Sequence, residues 1–251
     1  MSRFSLIVAL DQNIALVGSE YVDASGNKEP SVLPFTSEQF LAVFGNYNSA
    51  IWPVQIAAYL LGGVVAALLF LKTREADRII AGILASMWLW TGIGYHGLWF
   101  SAINQAAYLF AALFVVQGCY IFYSGFSHQI HFGPRPDMAS WAGMAFIAYA
   151  AIVYPLIGVA TGRSYPHMPM FGITPCPVTI FTFGLFLLTT SPVPRWLLVV
   201  PFVWSLIGGS AAILLNVPQD WFLLASGFIA APLIVFRDRL AIRAAGNPSS
   251  A

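Results

Sequence analysis

Charge is what this sequence has least of. Asp, Glu, Lys and Arg make up 8% of its 251 residues and hydrophobic residues 59%, so there is too little charge to cover a water-facing surface. With a mean hydropathy of +0.76, the chain reads as a polytopic membrane protein. A net charge of +1 and the lack of any basic run exclude an electrostatic footprint for nucleic acid. Cysteine is equally scarce. Cys119 and Cys176 cannot build a disulfide framework, and with Cys119 deep in one apolar run they lie roughly 20 Å apart by helical rise, too far to pair.

The chain holds seven apolar runs: Ile51 to Leu71, Ile79 to Phe100, Ala106 to Phe126, Ala139 to Ala160, Cys176 to Ser191, Trp196 to Leu215 and Trp221 to Phe236. A bilayer core of about 30 Å needs roughly 20 helical residues, so the fifth and seventh are short. The expectation is an all-α integral membrane bundle of seven transmembrane helices. All ten acidic residues, Asp220 and Asp238 among them, lie outside these runs, as do both lysines, Lys28 and Lys72. The missing lysine in the last run excludes a retinal protein. The missing intramembrane carboxylate argues against a proton pump or ion-driven symporter, and with no H-E-x-x-H either, against intramembrane aspartyl and zinc proteases.

Where charge does occur, it is one-sided. Lys72, Arg74, Arg78, Arg135, Arg195, Arg237, Arg239 and Arg243 fall on one side of the runs, against Arg3, Lys28 and Arg163 on the other. The positive-inside rule then puts the N-terminus outside and the C-terminus in the cytoplasm of an inner-membrane, multi-pass protein. Trp52, Trp99 and Trp221 at outer ends and Trp141 and Trp196 at inner ends fit aromatic belts. Residues 1–35 read as a polar extension whose apolar stretch is too short to span. Residues 36–50 read as an interfacial amphipathic helix capped by Thr36 or Ser37, with Phe40, Leu41 and Phe44 on one face. The membrane domain covers 51–236, and 237–251 is a basic cytoplasmic tail.

One ionisable group remains inside the runs. His96, in WTGIGYHGLWF, sits about one helical turn below the outer boundary, and an intramembrane histidine marks a candidate site. The loop SYPHMPMFGITPCP, from Ser164 to Pro177, lies on the same side and offers His167, Met168, Met170 and Cys176. Imidazole, thioether and thiolate together suit copper(I) and, less well, zinc. The alternative is a loop stiffened by Pro166, Pro169, Pro175 and Pro177, whose methionines pack on helix ends. His128 and His131 read as interfacial anchors. Pairs of small residues, Gly62 with Gly63 and Gly208 through Ala212, are close-packing faces. Pro155 and Pro201 are expected to kink their helices. Gln55, Gln117, Thr182, Thr189 and Asn216 either line a polar path or bond between helices.

The strings WPVQ (Trp52 to Gln55), GIGYH (Gly92 to His96), IN (Ile103, Asn104), YPHMPMFG (Tyr165 to Gly172), PCPVTIFTFG (Pro175 to Gly184) and WSLIGGSAA (Trp204 to Ala212) resemble a family of bacterial integral membrane proteins of unknown function, over roughly Glu38 to Phe236. The matching loop residues are Tyr165, Pro166, Met168, Pro169, Phe171, Gly172, Pro175, Cys176 and Pro177, while His167 and Met170 fall at variable positions. The resemblance implies no activity, but it narrows the candidate metal site to His96, Met168 and Cys176, with His167 and Met170 as additional ligands. Three functions fit. The first is a transporter or channel for a small uncharged solute or soft metal, with an outer-side site. The second is an accessory subunit of a larger membrane complex, and the third a membrane enzyme acting on lipid or quinone. The scarcity of catalytic groups weighs against the enzyme. The expected partners are the lipid bilayer, a second copy or other membrane subunits, and no nucleic acid.

Overall fold

The computed structural model describes residues 33–71 and 73–246; the apolar stretch near the N-terminus, Arg3, Lys28 and Lys72 lie outside the described residues. Among these the protein is helical, with one isolated antiparallel bridge between Phe132 and Thr189. The helices are α1 (Ser37–Ala50), α2 (Trp52–Phe70), α3 (Ala76–Trp90), α4 (Ala107–Phe126), α5 (Met138–Ala148), α6 (Pro175–Leu187), α7 (Val199–Leu214) and α8 (Trp221–Gly246). Two of them continue through wider turns. After α3 comes a π-helical segment, Thr91–Trp99, and after α5 another, Tyr149–Val153, which leads into Tyr154–Ala160.

Six helical stretches are long and apolar enough to cross a membrane: Trp52–Phe70, Ala76–Ala102, Ala107–Phe126, Met138–Ala160, Arg195–Leu214 and Pro218–Arg243. The fifth apolar run does not join them. It folds as α6, 13 residues, about 20 Å at 1.5 Å per residue against the roughly 30 Å of a bilayer core. All 13 of its residues are buried, so it is enclosed by the other helices. Along the long helices Trp52, Leu60, Leu98, Leu109, Trp141, Trp196 and Phe236 are exposed, as expected of surfaces that face lipid.

The seventh run begins earlier and ends later than its apolar residues suggest. Pro218 opens a 3₁₀ turn, Pro218–Asp220, that runs straight into α8, because proline is preorganised for a first turn. Asp220 is drawn into the bundle with 2% exposure and Asp238 with 9%. Lying outside the apolar runs therefore leaves neither exposed: both are buried by protein, Asp220 at the start of the last helical stretch and Asp238 near its far end. Pro155 and Pro201 fall in the first turns of Tyr154–Ala160 and α7, where a missing N–H is tolerated.

The two ends of the bundle differ in chemistry. At one end the connections after α2, α4 and α6 meet. Asp77 accepts from His131 Nδ1 and from the Phe132 amide at 2.8 and 2.7 Å, and Arg78 contacts His128. Thus the two histidines serve different partners. Arg237 donates to the carbonyls of Phe186 and Leu187 and to Thr189 Oγ1, closing the C-terminus of α6. Asp238 holds Arg237 at 2.7 Å and accepts from the Val193 amide. Seven arginines lie at this end or just beyond it on α8. At the opposite end, α1 packs across the bundle, capped by the reciprocal Thr36 and Gln39 bonds of a capping box. Its residues Phe44 and Tyr47 are buried beside Tyr95.

Hydroxyls such as those of Thr179 and Ser226 return to carbonyls of their own helices, while other polar side chains bond between elements. Trp88 Nε1 donates to Thr182 at 2.8 Å, Gln117 to the Leu197 carbonyl at 2.9 Å, and Gln55 to Asn48 at 3.1 Å. At the approach of α5 on α6 the close contacts are backbone on backbone. A Cβ on Gly143 would lie 2.7 Å from the Gly184 carbonyl oxygen, and one on Gly184 would lie 2.9 Å from the Gly143 oxygen. Neither backbone can yield, so Gly184→Val is expected to destabilise the protein by at least about 1–3 kcal/mol, read as a fall in Tm in detergent. Asp137 caps α5 by accepting from the Ser140 amide at 2.8 Å. Although partial burial opposes it, the Ser140 bonds and nearby Arg135 hold its carboxyl below its ordinary value of 3.8. Its stabilisation is therefore complete above that ordinary value and is lost as pH falls through the lowered one. Asp137→Ala is expected to cost about 0.5–2 kcal/mol at neutral pH, a difference that disappears in strong acid.

Candidate functional site

The proline-rich loop is built around backbone needs. Asn48 Nδ2 donates to the carbonyls of Pro166 and Met168 at 2.6 and 2.7 Å, while Asn48 Oδ1 accepts from Gln55. Tyr47 donates its hydroxyl to the Ile173 carbonyl at 2.8 Å and accepts from Trp90 Nε1. Burial pushes the Tyr47 phenol above its ordinary value, with the Trp90 bond opposing. Gly172 turns with φ +75° where a Cβ would meet Ala58 at 2.8 Å, a position only glycine fills without strain. The Pro-Cys-Pro string then starts α6. Pro175 and Pro177 occupy its first turn, so two positions there carry no amide proton that would need a partner inside the protein.

The candidate ligands are only partly brought together. Cys176 and His96 line one cavity of about 340 Å³. Met168 is 2% exposed, with its methyl against Gly158 on the helix after α5, and it is not among the cavity's lining residues. His167 is exposed and lies across Gly45 of α1. Met170 packs on the apolar cluster under α1, and its carbonyl accepts from the Thr174 hydroxyl. Among the described residues no three His, Cys, Asp or Glu side chains are grouped so as to hold a metal. Both cysteines are free thiols.

His96 is the unusual member. It is 0% exposed, and neither Nδ1 nor Nε2 has a hydrogen-bond partner. Aromatic rings surround it: Phe114 at 4.8 Å, Trp204 at 4.9 Å, Tyr95 at 5.2 Å and Phe110 at 5.7 Å between centroids. It sits in the π-helical Thr91–Trp99 segment, and π turns of this kind recur at functional sites. An unpaired buried polar group costs about 1–3 kcal/mol, and native proteins rarely retain one without a use.

Three residues of this site escaped the sequence analysis. Asp220 lines the same cavity and accepts a hydrogen bond from the Tyr154 hydroxyl. The Cys176 thiol lines the cavity beside that carboxylate. Trp204 forms part of the wall, and its Nε1 is buried without a hydrogen-bond partner. The one available signal for Asp220 was Pro218 two residues earlier, a first-turn proline that carries Asp220 into the last helix. For Tyr154 and Trp204 the sequence carries no signal beyond their depth. The arrangement is an aromatic chamber whose polar points are an imidazole, a thiol and a carboxylate, suited to binding a compact, mostly apolar molecule with a hydrogen-bonding group.

The model of one protein family, described as a family of unknown function (DUF6064), matches residues 37–245. No curated protein and no solved structure matches the chain.

If the imidazole is kept for a ligand and not for the fold, removing its polarity stabilises the empty protein. His96→Phe is expected to raise Tm, by the equivalent of about 1–3 kcal/mol, measured by thermal unfolding in detergent. A fall in Tm would show that His96 has a structural role instead.

Proposed function

Since the chain belongs to this family of unknown function, its role is to be sought in its own geometry, and we propose that it is an inner-membrane, multi-pass protein that binds a small, largely apolar molecule in the aromatic chamber and passes it into or across the bilayer. The observation that carries this reading is His96, wholly buried in the chamber wall with both ring nitrogens unpartnered. The volume of about 340 Å³ falls within the roughly 300–1,000 Å³ of small-molecule sites.

Charge supports the orientation. Arg74, Arg78, Arg135, Arg195, Arg237, Arg239 and Arg243 gather at or beyond one end, and Arg163 alone among the described basic residues belongs to the other. With the basic end in the cytoplasm, the chamber opens near the outer face, beneath α1. A soft-metal cargo is less well served, because Met168 lies outside the chamber and His96 and Cys176 lack a third ligand of their kind. Of the residues read as a polar path for an uncharged solute, Gln55, Gln117 and Thr182 instead bond between elements.

A plug distinguishes this reading from that of an accessory subunit. Ala211 lines the chamber and is only partly buried, so Ala211→Trp can fill the space without breaking a helix contact. The expected result is that a small molecule co-purifies in near one-to-one amount with the wild-type protein, by mass spectrometry of the extracted sample, and is lost from Ala211→Trp. Equal small-molecule content in both, together with stoichiometric protein partners from native membranes, would sink the chamber reading in favour of a subunit.

A further inference from the structure

Asp220 poses a problem that the chamber itself can solve. A carboxylate in a low-dielectric interior is stable when paired with a cation or neutralised, yet among the described residues Asp220 belongs to no ion pair. The group that donates to it is the Tyr154 hydroxyl, with the Cys176 thiol beside it on the cavity wall, both neutral. Arg163, the cation on its side of the bundle, commits Nη2 to the carbonyls of Leu215 and Asn216. Arg163 acts on the Asp220 carboxyl only from beyond ion-pairing distance, so the carboxyl lines the cavity with no cation in contact.

The remaining walls are suited to that counter-charge. Phe35, Phe40, Phe44, Tyr95, Phe100 and Trp204 line the chamber, and aromatic faces attract cations through their quadrupoles, most strongly where water is excluded. His96 adds an imidazole nitrogen free to accept an N–H. A metal ion would want several hard or soft ligands at fixed distances, and the chamber offers scattered ones. An ammonium carried on an apolar body matches all three features: the carboxylate, the aromatic cage and the spare acceptor.

We infer that the chamber is a site for a small organic cation, a primary or secondary ammonium group on an apolar body, with Asp220 as counter-ion, the aromatic rings as cage and His96 as a second acceptor. This rests on the chamber being a ligand site and adds the charge and class of what enters it. Tyr154 and Cys176 are then positioning residues, which hold the carboxylate against the chamber wall.

The test uses the full chain in lipid nanodiscs and three probes of the same ring and similar length: 2-phenylethylamine, 2-phenylethanol and 3-phenylpropanoate. Binding is measured by isothermal titration calorimetry, with empty nanodiscs as the control for partition into lipid. The expected result is binding of the amine at least tenfold tighter than the alcohol, with no binding of the carboxylate. Asp220→Asn is expected to bring the amine down to the alcohol's affinity and leave the alcohol unchanged. If that variant does not fold, Trp204→Leu is expected to weaken the amine severalfold more than the alcohol. Equal affinity for amine and alcohol on the wild-type protein overturns the cation assignment while leaving the chamber as a site for neutral molecules. An undiminished amine preference in Asp220→Asn, or equal losses for both probes in Trp204→Leu, overturns it as well. Failure of all three probes to bind also overturns it, and the co-purification comparison with Ala211→Trp decides separately whether the chamber is a site at all.

Discussion

The enclosure of α6 is the constraint on which the rest of the structure depends. A helix of 13 residues cannot reach both faces of a bilayer, and inside a membrane no backbone polar group can be left to lipid. Both of its ends must therefore be satisfied by protein. At the C-terminus Arg237 bridges to two carbonyls and Thr189, and is itself held by Asp238. At the N-terminus two prolines remove amide protons that would otherwise need partners, and the loop ahead of them hangs from Asn48 and Tyr47 of α1. The basic end, the proline loop and the amphipathic helix are three parts of one solution to the same problem.

The chamber follows from that solution. Because α6 stops short, the space beyond its first turn is filled by other elements: the π-helical turn after α3, the beginning of α8, the wall of α7 and the cap formed by α1. Each contributes one kind of group to the cavity, the imidazole of His96, the carboxylate of Asp220, the indole of Trp204 and the phenylalanines of α1. Cys176 stands at the floor, in the second position of α6. Its conspicuous sequence setting thus has a structural cause, since the flanking prolines serve the helix start and the thiol serves the carboxylate beside it.

Stability and function pull in different directions here. The contact of Gly143 with Gly184 and the capping at Arg237 tighten the bundle around α6, whereas His96, Trp204 Nε1 and both amide atoms of Gln219 are buried without hydrogen-bond partners. Of these, His96 and Trp204 line the chamber and Gln219 adjoins Asp220 in the chain. Local conflict of this kind is expected where a protein keeps polar groups ready for something it does not itself contain.

The sequence by itself pointed to a multi-pass membrane protein, because so little charge suits lipid better than water, and it placed most helices, because apolar runs of membrane length have few alternatives. It also singled out His96 and Cys176, since ionisable and thiol groups stand out against an apolar background. Only the tertiary structure decided that the fifth run is a buried short helix, that Asp220 and Asp238 enter the bundle, and that Met168 turns away from the candidate site. The physical reason is that hydropathy reports each segment's preference for lipid over water. It is silent on whether a segment meets lipid or protein, and that choice rests on contacts between elements far apart in the chain, such as Tyr154 with Asp220, Arg237 with Phe186 and Leu187, and Asn48 with the proline loop.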